Sequence, residues 1–423
     1  MRHPFNSEER MRFRRKAKGT PLRRSSGSSE PPQQSHKGPP TADDWLKARW
    51  AAVSAIPIFP ESMTQRRITI VTDSIGPSSL FGGVGTALIL GALWAKRSKA
   101  RLRIVTRTEA PETGALARVL AANNLTFDGQ AEFRHHPRDG HRELAVGEHD
   151  LFLSTFWGTT RALLNTVGAK RIVSLLQDDE RMFYPYGDER LECELAMAAP
   201  LRRVVVNTML LRDHLTTGAG AIDGLTERAI AFEPAFIGGA RKPDGGERKR
   251  RLLFYARPHN LRNLFATGVA ALSEAILQGL LDSEAWEVHF VGGDAPEIEF
   301  RGGVKVIRHD MMGWREYKTF LTSIDAGFVL MYTPHPSYPP LDLAAMGVPV
   351  LTNQCGLKTD LARYSANILS APLAPQTLVE GLGRLIALAE DRDRLEKNLA
   401  EDHICRDWAQ ALDPVVADLD TLW

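Results

Sequence analysis

Cysteine is scarce in this chain, with three in 423 residues. Cys193, Cys355 and Cys405 lie far apart, form no C-x-x-C pair and are odd in number. That pattern argues against a disulfide framework and against zinc, and it fits a reducing cytosol. Long apolar runs are missing as well. No stretch approaches the roughly 18 residues needed to span a bilayer, and the basic amino end runs into polar residues instead of the apolar core of a secretion signal. Charge of one sign is not in excess: the formal net charge is +2, which gives no general argument for nucleic acid.

With 43% apolar and 25% charged residues, the chain is ordinary globular material, long enough for two cores. Residues 1–43 are rich in Arg, Ser, Pro, Gln and Lys and bury too little to offset ordering, so a disordered basic tail is expected there. Its RMRFRRKAK run (10–18) and LRR (22–24) suit anionic lipid head groups, although a plain solvated tail reads the same way. Asp44 to Phe59 reads as a short amphipathic helix carrying Trp45 and Trp50.

From Arg67 onward, apolar strands alternate with helical stretches, the pattern of a mostly parallel sheet that binds ligands at the carboxyl ends of its strands. RITIVT (67–72) leads to a loop with Gly82, Gly83 and Gly85 and then an apolar helix from about Val84 to Lys96. A strand, a glycine loop and a helix start make an anion site in principle. As a dinucleotide fingerprint the loop fails, because the third Gly position is Leu88 and the next strand ends in Thr106 and Arg107. Strands follow at 150–154, 171–176 and 203–207. The second ends in QDDERMFYPYGDER, where Asp178 and Glu180 are candidates for hydroxyl contacts or a base, and Tyr184 offers a flat face to sugars. Trp157 follows the first, at the same edge of the sheet. A solvated acidic loop and a packing Trp are the plainer alternatives.

Pro234 to Arg250 is rich in Gly, Pro and charge and reads as a linker. The expected division is a tail (1–43), a first domain (44–235), a linker (236–250), a second domain (251–395) and a closing helix (396–423). RLLFY (251–255) opens the second domain, and Arg257 and Arg262 follow it, two guanidinium forks suited to a leaving diphosphate. Strands at 287–292, 304–307 and 326–331 and a helix from Trp314 to Ser323 come next. Then comes Ser337 to Asn353, SYPPLDLAAMGVPVLTN, read as a loop, a short helix opened by Asp342, a Gly347 stop and a buried strand.

This last stretch resembles the nucleotide-sugar signature of glycosyltransferase family 4, which has the two-domain GT-B fold. In that family a Glu heads the turn; Asp342 stands in its place, and Pro334 stands where a second Glu lies eight positions earlier. The Arg257 and Arg262 pair, spaced 262 − 257 = 5, is similar to the family's Arg and Lys directed at the donor diphosphate. PHPSYPPLDLAAMG and QDDERMFYP resemble the WsaF-like rhamnosyltransferases that build bacterial surface polysaccharides. The resemblance, over about residues 66–415, implies an α/β protein of two Rossmann-like doubly wound domains facing a cleft. It implies a metal-independent, retaining glycosyltransferase without cofactor, with dTDP-L-rhamnose as donor and a glycan or lipid-linked saccharide as acceptor. Gly82, Gly83, Ser337, Tyr338, Pro340, Leu341 and Asp342 would hold the donor with Arg257 and Arg262, and Trp157 and Tyr184 the acceptor. The expected location is the cytoplasm, at the inner face of the membrane where the tail attaches. A nucleotide-sugar epimerase of the same fold and a catalytically silent glycan-binding relative are the competing readings.

Overall fold

A computed structural model describes residues 39–77, 79–138, 140, 142–239 and 248–423. Most of the expected tail, residues 1–38, and residues 240–247 of the expected linker lie outside the described residues. Lys47 to Trp423 form one compact unit.

The chain opens with helix α1 (Ala42–Arg49), shorter than the sequence suggests, and strand β1 (Ile58–Pro60). β1 pairs in parallel with β5 (Leu144–Val146) as a separate ribbon. The first sheet comprises β2 (Arg67–Thr72), β3 (Arg101–Thr106), β4 (Ala131–His135), β6 (Asp150–Ser154), β7 (Ile172–Leu176), β8 (Arg203–Asn207) and β9 (Ala229–Phe232). All pairings are parallel, in the order β4-β3-β2-β6-β7-β8-β9. β2, β6 and β7 are buried along their whole length, as strands covered on both faces must be, which is why they read as unbroken apolar runs. Charge is buried in this sheet as an ion-pair cluster: Arg67 of β2 and Arg103 of β3 both contact the buried Asp150 carboxylate of β6 (2.6 and 3.3 Å), tying three neighbouring strands together.

The second sheet comprises β10 (Arg250–Tyr255), β11 (Trp286–Val291), β12 (Lys305–His309), β13 (Ala326–Val329), β14 (Val350–Asn353) and β15 (Ile368–Ala371). It too is parallel, in the order β12-β11-β10-β13-β14-β15. In each sheet the order reverses once, beside β2 in the first and beside β10 in the second. A doubly wound sheet opens a crevice at that switch point, outside the carboxyl ends of its strands.

Helices α2 (Gly85–Ser98), α3 (Ala115–Ala122), α4 (Trp157–Leu164), α5 (Asp188–Ala198) and α6 (Met209–Thr216) accompany the first sheet. The second carries α7 (Phe265–Leu277), α8 (Trp314–Leu321), α9 (Tyr338–Ala345), α10 (Pro375–Glu390) and α11 (Arg392–Ala400). The closing helix expected over 396–423 is two: α11 ends at Ala400, and α12 (Trp408–Asp420) starts after Asp407, whose side chain accepts from the amides of Ala409 and Gln410. Such a cap satisfies amides that a new helix leaves without partners.

α12 belongs to the core of the first sheet. Trp408, Leu412, Val415, Val416 and Leu419 are buried with residues of β2 and α2, about 10 kcal/mol of gross hydrophobic stabilisation at roughly 2 kcal/mol each. Polar contacts fix its register: Trp408 Nε1 donates to Asn123 Oδ1 (3.1 Å) and Ser98 Oγ to Asp420 Oδ1 (2.6 Å). Among the described residues no helix is long and apolar enough to cross a membrane.

Candidate functional site

The loops behind the two switch-point strands meet at a cavity of about 360 Å³. Gly82 and Gly83 enter from the loop after β2, Arg257 from the loop after β10, and Asp342 from α9. Met311, Met312, Trp314 and Tyr317 form an apolar and aromatic wall. The volume is in the range of ligand clefts, about 300–1,000 Å³.

The glycine loop is built for close approach. The backbone turns through one π-helical turn, Leu80–Val84, before α2 begins at Gly85, so the helix starts one residue later than the sequence suggests. Gly82 takes φ +67° with open space where a side chain would lie, and a Cβ on Gly83 would come within 2.7 Å of the Gln177 amide nitrogen. That nitrogen donates to the Gly83 carbonyl (2.8 Å). Facing the loop, Gly292 at φ +137° lets β11 end against the Ala256 carbonyl.

Arg257 is exposed at the cavity, and among the described residues its guanidinium has no carboxylate within 4 Å. Asp342 faces the same space without a hydrogen-bond partner among the described residues. Burial pushes its carboxyl up to about 7, opposed by the Lys318 ammonium. Tyr317 Oη is buried with no hydrogen-bond partner among the described residues, and burial with the neighbouring Asp342 charge raises its pKa well above the ordinary value. Among the described residues the cavity thus offers the Arg257 guanidinium, two carboxyls, Asp310 and Asp342, and the unpartnered phenol of Tyr317. Tyr338 closes the seam at its edge. Asn207 Nδ2 donates to Tyr338 Oη (2.6 Å), which shares a hydrogen with Thr86 Oγ1 (2.8 Å).

α9 departs from the sequence reading. Asp342 does not open it but sits fifth in the helix, and Pro339 and Pro340 occupy the first turn. The backbone from Ser337 to Leu341 therefore has few amides to offer a donor: Pro339 and Pro340 have none, and the Ser337 amide already donates to His335 Nδ1 (2.9 Å). Tyr338 and Asp342 line the cavity, whereas Ser337, Pro340 and Leu341 are not on its wall.

Arg262 also lies off that wall. Its guanidinium pairs with Asp178 from the first sheet and stacks on Phe183, 4.0 Å from the ring centre. Asp178 in turn accepts from Thr333 Oγ1. Burial pushes the Asp178 carboxyl up against the pull of Arg262 and Thr333. Glu180 is 4% exposed and accepts from the Trp157 amide at the start of α4 (2.6 Å). Burial, with Asp178 and Asp179 nearby, lifts it to about 8. Neither carboxyl reaches the cavity, so a base role at that wall does not follow for either. Asp179 is held down at about 2 by His214 and Arg181.

Trp157 is not an acceptor surface. It is 3% exposed within the core of the first sheet, because the first turn of α4 folds the indole beneath the chain. Its Nε1 donates to Tyr184 Oη (2.9 Å), with the rings edge to face, so Tyr184 spends its hydroxyl on packing. Lys318 and Lys358 carried no signal in the sequence, and Tyr317 and His335 lie in stretches that did without being singled out themselves. They stand in unremarkable helix and loop positions and gain their surroundings only from the fold.

Comparison with known proteins extends this geometry. The family described as WsaF, C-terminal domain, matches residues 250–383. The O-antigen biosynthesis protein RfbC of Myxococcus xanthus is 30% identical over 273 residues, 64% of this chain and 20% of that protein. The chain thus spans about a fifth of the length of the curated relative it matches. Among solved structures, sucrose-phosphate synthase from Thermosynechococcus elongatus superposes with a TM-score of 0.54 at 13% identity, over 85% of this chain and 100% of that one. The fold is GT-B. Anabaena HepE, solved in complex with UDP-glucose, is similar at a TM-score of 0.53 and 14% identity, over 84% of this chain and 97% of its own. In GT-B terms the two sheets are the two Rossmann-like domains, and the 360 Å³ cavity lies in the cleft between them.

Proposed function

We propose that this protein is a glycosyltransferase that moves a sugar from a nucleoside-diphosphate donor onto a growing surface polysaccharide. The observation that carries the reading is the cavity where both switch-point loops meet, with Arg257, the Gly82–Gly83 turn and Asp342 on one wall set. Arg257 would counter the diphosphate charge that grows as the glycosidic bond breaks, in place of a metal ion. Met311, Met312 and Trp314 would flank the base, and Asp342 would accept from a donor hydroxyl. A glycine turn lets a phosphate approach backbone amides closely. RfbC being named for O-antigen biosynthesis, and HepE having been solved with UDP-glucose, support a glycan acceptor and a nucleotide-sugar donor.

We further propose dTDP-L-rhamnose as the donor, the one that the resemblance of PHPSYPPLDLAAMG and QDDERMFYP to the WsaF-like rhamnosyltransferases implies. The leaving phosphate would take the acceptor proton, with retention at the sugar carbon and no further cofactor. The acceptor would be a glycan or lipid-linked saccharide, met in the cytoplasm at the inner membrane face with the basic tail on anionic lipid.

Thermal unfolding with equal concentrations of dTDP, UDP, GDP and NAD tests the donor class. A nucleoside diphosphate at about 100 times its Kd adds roughly 2.7 kcal/mol, and Arg257→Ala is expected to abolish the rise. If no diphosphate raises the midpoint, or only NAD does, the transferase reading fails. Glycan retention without nucleotide release would then mark a silent relative, and conversion of donor without acceptor an epimerase.

A further inference from the structure

Strands of a parallel sheet are ordinarily covered on both faces, yet one face of the first sheet is polar and open at its β3–β4 margin. Arg103 is paired with Glu132 and Val105 with Arg134 across the two strands, and residues paired in this way point to the same side. Leu102 and Ile104 take the other side and join the core shared with α2. In front of the polar face lies a cavity of about 760 Å³, about twice the volume of the donor cavity. Its far wall is the β1–β5 ribbon, which contributes Phe59, Leu144 and Ala145. The floor is fixed in place: Arg67 Nη2 and Arg103 Nη1 both donate to the Ala145 carbonyl (3.0 and 2.7 Å). Burial, with the Arg67 charge beside it, draws Arg103 down to about 10, so the floor stays cationic at neutral pH.

The rim carries charge that is not paired within the protein. The Arg101 and Arg142 side chains are exposed on it, and neither guanidinium has an ion pair among the described residues. Arg101 reaches only the Met63 sulfur (3.5 Å). Phe59 is 44% exposed, a large ring left at the edge of a polar cavity. Five arginines line the walls against Glu61, Glu132 and Glu143, with Asp150 beneath, so the net charge is only 5 − 4 = +1. A polyphosphate or a nucleic acid is drawn by cations and repelled by such carboxylates. A hydroxyl-rich ligand uses both signs, since a guanidinium only donates and a carboxylate only accepts. An apolar ring beside a few placed polar groups is how small-molecule clefts are lined.

We propose that this trough holds an acidic saccharide, with sugar carboxylates on the Arg101 and Arg142 guanidiniums, hydroxyls on Glu61 and Glu143 and one ring lying on Phe59. The inference rests on the glycosyltransferase reading only for where that saccharide comes from, a finished stretch of the growing glycan. The trough begins at Arg67 and Arg101, the first residues of β2 and β3, and reaches His135 and His136 where β4 closes. It therefore leads along the sheet toward the carboxyl ends of the strands, the side on which the donor cavity opens. The six residues of β2 give it a run of roughly 20 Å at about 3.3 Å per residue. A chain held there keeps its free end near the donor at a raised effective concentration, as tethered ligands do.

The test is calorimetric titration of the full chain at low salt with a galacturonate tetramer, maltotetraose and inorganic tripolyphosphate. The uronate tetramer is expected to bind more tightly than the neutral one. Arg101→Gln and Arg142→Gln should each weaken the uronate by about twofold to fivefold, as the loss of an exposed ion pair does, and leave maltotetraose little changed. Phe59→Ala should weaken both saccharides. None of the three side chains lines the donor cavity, so the rise in melting midpoint with dTDP should persist in every variant. If neither saccharide binds, if the uronate binds all variants equally, or if tripolyphosphate outbinds the uronate with the same arginine dependence, the proposal is overturned. If the uronate binds as expected while no nucleoside diphosphate does, the donor reading falls and the trough stands. If dTDP raises the midpoint and no saccharide binds, the trough alone falls.

Discussion

Asp342→Asn separates stability from binding at the cavity. The Asp342 carboxyl is held at about 7, some 3 units above an unperturbed aspartate, which corresponds to about 4 kcal/mol at 1.36 kcal/mol per unit. The folded pKa lies above the unfolded one. Ionisation therefore costs nothing below pH 4, costs progressively more as the pH climbs, and costs its full amount above pH 7. Asparagine carries no such cost. With an unfolding entropy of roughly 2.1 cal/mol/K per residue, 423 residues give about 0.9 kcal/mol per degree. Water in the cavity screens part of the penalty, so the variant should melt about 2–4 °C higher than the parent at pH 8. Calorimetric scans at both pH values, with and without dTDP, check this. At pH 5 the two should coincide, and at pH 8 the variant should lose most of the dTDP-induced shift, since an amide is a poorer acceptor for a donor hydroxyl. Equal melting at pH 8, or destabilisation at both pH values, would refute the reasoning.

Glu180→Gln should be nearly neutral at pH 6, where the carboxyl at about 8 is already protonated, and stabilising at pH 9; urea midpoints at the two pH values measure it. Trp408→Ala removes the indole that anchors α12 and its bond to Asn123, and should cost about 3–5 kcal/mol, read from denaturant unfolding followed by fluorescence of the first domain.

What the sequence revealed depended on range. β2, β7 and β8 were legible because strands covered on both faces are apolar runs. β4, AEFRH, was not, since alternating charge at a sheet edge looks like loop. The first-turn prolines of α9 marked its start plainly, but the resemblance at Asp342 drew the start four residues too far. Arg257 could be placed by its position after an apolar strand. Arg262 could not, because its counter-charge lies 84 residues away, and no local pattern announces a pairing across two domains. The same holds for Trp157, whose exposure depends on how α4 folds over it.

The crossing of α12 onto α2 has a temporal consequence. Ribosomes deliver the first sheet long before its cover. After β9 ends at Phe232, Trp408 is 408 − 232 = 176 residues away, about 10–35 s of synthesis at 5–20 residues per second. Throughout that interval the apolar flank of α2 stays bare beside a finished parallel sheet. The nascent amino-terminal half thus emerges as a sticky intermediate, dependent on a holding chaperone or on slow, late closure by the last helix. Premature stops before Trp408 should leave an aggregating fragment instead of a smaller working domain.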